Sequence, residues 1–205
     1  MDSLSKLNHP IVGQSFAIID REIGEHNLNQ REYAIARRVI HATADFEYLE
    51  LLQFSADAID SGITALRKGQ TIVTDVNMVK QGIASLVAKT YQNQIIAAID
   101  LASVADQGKT LTETGLLRCH AQHPDAIYVI GNAPTALLAL CQQLKIAKVK
   151  PALIIGVPVG FVAVEESKQA LAQQDVPQIL ISGRKGGSPA AASIVNALLI
   201  LASRS

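Results

Sequence analysis

Five short runs of apolar, largely β-branched residues constrain this chain more than any other feature. They are Thr71-Ile72-Val73-Thr74, 94–99, 126–130, 152–155 and 178–181. Most are apolar at successive positions rather than alternating, the pattern of strands buried on both faces. Helical stretches at about 112–120, 135–145 and 164–173 separate the last four runs. A helix over 76–88 falls between the first two, and one over 190–202 follows the last. Alternating strand and helix predicts a parallel sheet covered on both sides. The expected fold is a three-layer α/β/α domain with a mainly parallel sheet of about five strands, preceded by N-terminal helices. With no repeat or linker in the sequence, residues 1–205 read as a single domain.

The first third is helical in pattern. Pro10 suits a first helical turn, Phe16, Ile19 and Ile23 recur at helical spacing, and Gly24 marks a stop. Asn29 and Glu32 have the spacing of a capping box. The helix after them is expected to run to about Asp45, with Tyr33, Ile35, Ala36, Val39 and Ile40 as its apolar stripe. A further helical stretch is expected to end over 58–68, stopped by Gly69.

Charge narrows the function. Lys plus Arg and Asp plus Glu both number 18, so no basic footprint for nucleic acid is present. The absence of Trp leaves few stacking platforms for single strands. No apolar run reaches the 18 or so residues of a membrane span. The polar start lacks a signal-peptide core, and the expectation is a cytoplasmic protein without a membrane partner. Cys119 and Cys141 are far apart and read as reduced, buried thiols.

In open parallel sheets, ligands bind beyond the carboxyl ends of the strands. Here those ends read Thr74-Asp75-Val76-Asn77, Gly131-Asn132-Ala133-Pro134, Gly156-Val157-Pro158-Val159-Gly160-Phe161 and Ser182-Gly183-Arg184-Lys185-Gly186-Gly187-Ser188-Pro189. Parallel strands would put all four loops on one rim. Glycine lets backbone amides approach a ligand. Ser188 is placed to cap the last helix and Pro189 to start it. With Arg184 and Lys185 the loop favours an anionic ligand. Neither GxxxxGK[ST] nor GxGxxG occurs, so a nucleotide is not indicated. No metal site is read: His120 and His123 lack a third ligand, and His9 and His26 stand in turns. Lys168, one helical turn into the helix after Phe161, is placed to reach the rim.

His41 lies off the apolar stripe of its helix, near the C-terminus, where the dipole favours a cation. Asp45, one turn on, would reinforce that, and Arg37 and Arg38 would oppose it. A histidine so placed suits acid–base work.

Taken together these motifs resemble one family. Ser15-Phe16-Ala17-Ile18-Ile19, Arg38-Val39-Ile40-His41-Ala42, Asp75-Val76-Asn77-Met78-Val79, Gly131-Asn132-Ala133-Pro134-Thr135-Ala136, Pro158-Val159-Gly160-Phe161 with Glu166-Ser167-Lys168, and Gly183-Arg184-Lys185-Gly186-Gly187-Ser188 are similar, in order, to the precorrin isomerases, the precorrin-8X and cobalt-precorrin-8 methylmutases. The resemblance implies a homodimer with the substrate site near the subunit interface. It implies a cofactor-free shift of a methyl group from ring carbon 11 to ring carbon 12 of precorrin-8X or cobalt-precorrin-8, giving hydrogenobyrinate or cobyrinate. It assigns the catalytic role to His41 and substrate binding to Ser15. Lys109, Asn132, Lys168, Arg184, Lys185, Gly186, Gly187 and Ser188 join Ser15 as expected substrate contacts. One departure concerns 108–112. Family members often carry arginine after the threonine, where this chain has Leu111; Lys109 is the expected replacement. A non-catalytic tetrapyrrole carrier of the same fold is the alternative reading.

Overall fold

The computed structural model describes residues 10–204. His9 and the polar start lie outside the described residues.

Helix α1 (Pro10–Ile23) ends where Gly24 turns left-handed at φ 66°. Helix α2 (Gln30–Thr43) begins with the expected capping box: the Asn29 side chain accepts from the amides of Arg31 and Glu32, and Glu32 accepts from the Asn29 amide. Its C-cap, Ala44, is left-handed at φ 53°. A single turn, α3 (Tyr48–Leu51), runs directly into strand β1 (Leu52–Phe54). Helix α4 (Ala58–Arg67) follows, then β2 (Ile72–Thr74), α5 (Asn77–Lys89) and β3 (Ile95–Ala97). A 3-10 turn over Ala98–Leu101 leads to α6 (Leu111–Gln122). The rest alternates: β4 (Ile127–Ile130), α7 (Pro134–Leu144), β5 (Leu153–Gly156), α8 (Val164–Ala172), β6 (Gln178–Ile181) and α9 (Ser188–Arg204).

The sheet order is β1-β6-β5-β4-β2-β3, parallel except for β1, which pairs antiparallel with β6. The sheet thus has six strands rather than five. The additional one, Leu52–Phe54, falls in a stretch expected to be helical. It is too short for a pattern of its own and is extended because it pairs with 179–181.

Alternate strand residues feed two cores. Ile127, Val129, Leu153, Ile155, Ile179 and Ile181 face a layer built by α2, α4, α5 and α9. Tyr128, Ile130, Ile154 and Leu180 face α6, α7 and α8. Helix α9 is buried almost all round because α2, α4 and α5 enclose it. Alanine and glycine permit that crowding: a Cβ on Gly82 of α5 would stand 2.7 Å from the Cβ of Ala192. Both cysteines are buried and free.

The chain from β2 passes to α5 on one face, and the chain from the adjacent β4 passes to α7 on the other. Diverging connections open a crevice at the carboxyl ends, the usual ligand position in such sheets.

Candidate functional site

The loops after β2, β4, β5 and β6 meet on one rim, as expected from the parallel runs. Asp75, fully buried, links the first two. One carboxylate oxygen accepts from the amides of Asn132 (2.6 Å) and Ala133 (2.8 Å), the other from Val76 (2.9 Å). Burial pushes its carboxyl above the usual range, and these amides with that of Gly131 pull it back. Gly131 itself is closely packed: a Cβ would lie 3.0 Å from the Ala191 Cβ and 3.1 Å from the Cα of Ser188, so its neighbours would have to give way. The loops after β5 and β6 are joined by Gly187 N–H to Val157 O (2.9 Å) and Gly160 N–H to Arg184 O (3.3 Å).

His41 stands in the last turn of α2, half-buried against α1. Its Nδ1 is 2.8 Å from Ser15 Oγ, and the Phe16 ring meets its ring edge-on, with centroids 5.4 Å apart. Nε2 has no hydrogen-bond partner among the described residues. The two motif residues, 26 positions apart in sequence, are therefore in contact. Lys185 Nζ meets the Asp45 carboxylate at 2.6 Å and also reaches Glu47 at 2.9 Å. That hydrogen bond holds the Asp45 carboxyl below its ordinary value and raises Lys185. Tyr48 OH donates to Gly186 O at 3.2 Å. These three contacts tie the end of the His41 helix to the glycine-rich loop after β6.

Arg184 projects outward, with its side chain 62% exposed, beside Glu165 (3.1 Å) and 5.8 Å from the Phe161 ring centroid. Lys168 does reach the rim, but from below. It is buried, and its ammonium donates to Gly183 O (2.7 Å) and Lys185 O (2.6 Å). Asn132 and Lys109 are exposed. Lys109 precedes Thr110, which caps α6 and whose hydroxyl lies 3.3 Å from that of Thr135 on α7. Ser188 is not the cap of α9. It lies inside the helix and is buried, and Gly187 O accepts the first helical bond, from Ala191. The cap falls to Gly187, whose φ of 109° suits glycine alone. Tyr48 and the Lys185–Asp45 pair are features that sequence reasoning missed. Asp75 was read as a member of its loop and motif but not as the bridge between two loops; its signal was an acid at the end of a buried strand.

The N-termini of α5, α7 and α8 open on this rim without side-chain caps, so the site offers amides and cations to an anion and an imidazole to a proton. The class defined is an α/β protein with helix N-termini, cations and the end of a histidine-bearing helix gathered at the carboxyl end of its sheet. The model of one enzyme family, described as precorrin-8X methylmutase, matches residues 10–201, and the chain belongs to that family. It is a methylmutase, an isomerase of cobalamin biosynthesis. A cobalt-precorrin-8 methylmutase of Synechocystis sp. is 61% identical, over 97% of this chain and 98% of its own length. A precorrin-8X methylmutase of Pseudomonas aeruginosa is 38% identical, over 92% of this chain and 93% of its own. The crystal structure of a precorrin-8x methyl mutase from Thermus thermophilus superposes with a TM-score of 0.87 at 36% identity, covering 96% of this chain and 98% of that one.

Proposed function

We propose that this protein shifts a methyl group from ring carbon 11 to ring carbon 12 of precorrin-8X or cobalt-precorrin-8, with His41 as general acid. The Ser15–His41 contact carries the reading, because it orients the imidazole and divides the roles of its nitrogens. With Nδ1–H donating to Ser15 Oγ, Nε2 is the nitrogen that gains and loses the proton. The shift is a sigmatropic rearrangement: the bond to carbon 11 breaks as the bond to carbon 12 forms. It needs no nucleophile. A positioned acid protonates the conjugated system and lets it settle in the new tautomer, which is worth about 10²–10⁴-fold. The substrate's acetate and propionate groups are matched by Arg184, the exposed loop amides and Asn132. As part of the same reading, the chain works in the cytoplasm and as a homodimer; support for the homodimer comes from the family resemblance. Among the described residues no helix is long and apolar enough to cross a membrane.

The test is an absorption time course with precorrin-8X, and in parallel with cobalt-precorrin-8. Growth of the hydrogenobyrinate or cobyrinate spectrum is expected, and His41→Ala should lower kcat by about 10²–10⁴-fold while leaving product binding nearly intact. Binding of both compounds without conversion would make the protein a carrier instead.

A further inference from the structure

The loop that presents Arg184 contains three glycines with positive φ: Gly183 (68°), Gly186 (148°) and Gly187 (109°). Glycine in such conformations gives a chain little stiffness of its own. A cation that orients a ligand must nevertheless stay within a fraction of an ångström of its place. Gly160, Val157, Tyr48 and the Lys185 ion pairs hold parts of the loop, and the carbonyls that flank Arg184 are held by a further group.

Lys168 is 5% exposed. Its ammonium donates to the carbonyls of Gly183 and Lys185, which are the residues on either side of Arg184. Among the described residues no carboxylate lies within ion-pair distance of it. Burying an ammonium without such a partner is costly, and a surface turn does not require it. Burial pushes Lys168 down to about 8, against the opposing charge of Glu165. Glu165 lies one turn earlier on the same helix and pairs with the Arg184 side chain. One helix, α8, thus holds Arg184 by both its backbone flanks and its guanidinium. Resting on the function proposed above, we propose that Lys168 is a positioning residue: it fixes the 183–187 loop so that Arg184 meets a carboxylate of the tetrapyrrole, and it does not touch the substrate itself.

A double-mutant cycle separates these roles. Hydrogenobyrinate binding is titrated by absorption for the intact protein, Lys168→Met, Arg184→Ala and the double variant, and KM and kcat are measured with precorrin-8X. If Lys168 acts through Arg184, each single change weakens binding and raises KM by about tenfold, the double variant is little worse than either, and kcat changes far less because His41 stands on α2. Lys168→Arg, which keeps charge and donors, should recover most of the affinity. Multiplying losses in the double variant would make Lys168 a direct ligand and overturn the inference, as would unchanged affinity in Lys168→Met. Amide hydrogen exchange over 183–187, read without ligand, should quicken in Lys168→Met; an unchanged rate also overturns it. Should Lys168→Met not fold, Lys168→Gln replaces it in the same cycle. If the intact protein neither binds hydrogenobyrinate nor converts precorrin-8X, the proposed function fails, while the exchange measurement still decides whether Lys168 holds the loop.

Discussion

Ser15 is placed to orient His41, with its hydroxyl 2.8 Å from the imidazole Nδ1. Its contact with His41 Nδ1 fixes the ring plane, and Phe16 packs edge-on against the same ring. The family resemblance implies substrate binding by Ser15; the contact with His41 supports the proposal that it orients the imidazole. The two differ in kinetics. Ser15→Ala should lower kcat by about tenfold with a small change in KM, as suits a hydrogen bond of about 1 kcal/mol. A raised KM at constant kcat would return Ser15 to substrate binding. Both residues were legible as motif members, but their contact was not, since it joins two helices. The sequence was equally silent on which charges are engaged. Lys168, Arg184 and Lys185 read as equivalent cations, yet one is buried beneath the loop, one faces outward and one is paired with Asp45 and Glu47.

Elements were legible where burial wrote a pattern. Strands β2, β4, β5 and β6 are buried on both faces, and their unbroken apolar runs announced them. Strand β1 was not, because pairing with β6 rather than local preference makes Leu52–Phe54 extended. The same limit hid the packing of the loops on each other. A Cβ on Gly186 would stand 2.2 Å from Val157 O and 2.9 Å from Pro158 O. Gly186→Ala must therefore push the loops after β5 and β6 apart as well as strain a φ of 148°. A loss of about 1–3 kcal/mol in urea melts is expected, with a KM raised at least about tenfold. Gly183→Ala is the control. At φ 68° with no atom within 4 Å of its Cβ, it carries backbone strain alone and should be the milder change. Equal effects at the two positions would show that the loop contact does not matter.

Across the whole molecule, the sheet separates the loop rim from an end that carries a buried histidine. Strand order, and with it the crevice between the loops of β2 and β4, could not be read from spacing, because any crossover connects parallel runs equally well in sequence. The second core places His120 in the last turn of α6, 5% exposed and 6.0 Å from the Tyr128 ring. Its Nε2 is buried without a hydrogen-bond partner among the described residues. A helix C-terminus favours a cation, yet burial, aided by the charge of Lys150, lowers the pKa of His120 below its ordinary 6.5. In the unfolded chain the imidazole takes up a proton near pH 6.5, while the native state still refuses it. The stability this represents is therefore present above pH 6.5 and lost as pH falls through the lower native value. Asp45, held low by Lys185, acts in a separate and more acidic window, its contribution present above 3.8 and lost below. Thermal melts at pH 7.5 and 5.0 should show a fall in Tm that His120→Gln reduces, with turnover at neutral pH retained because His120 lies far from the rim. An identical acid shift in His120→Gln would place the sensitivity elsewhere in the chain.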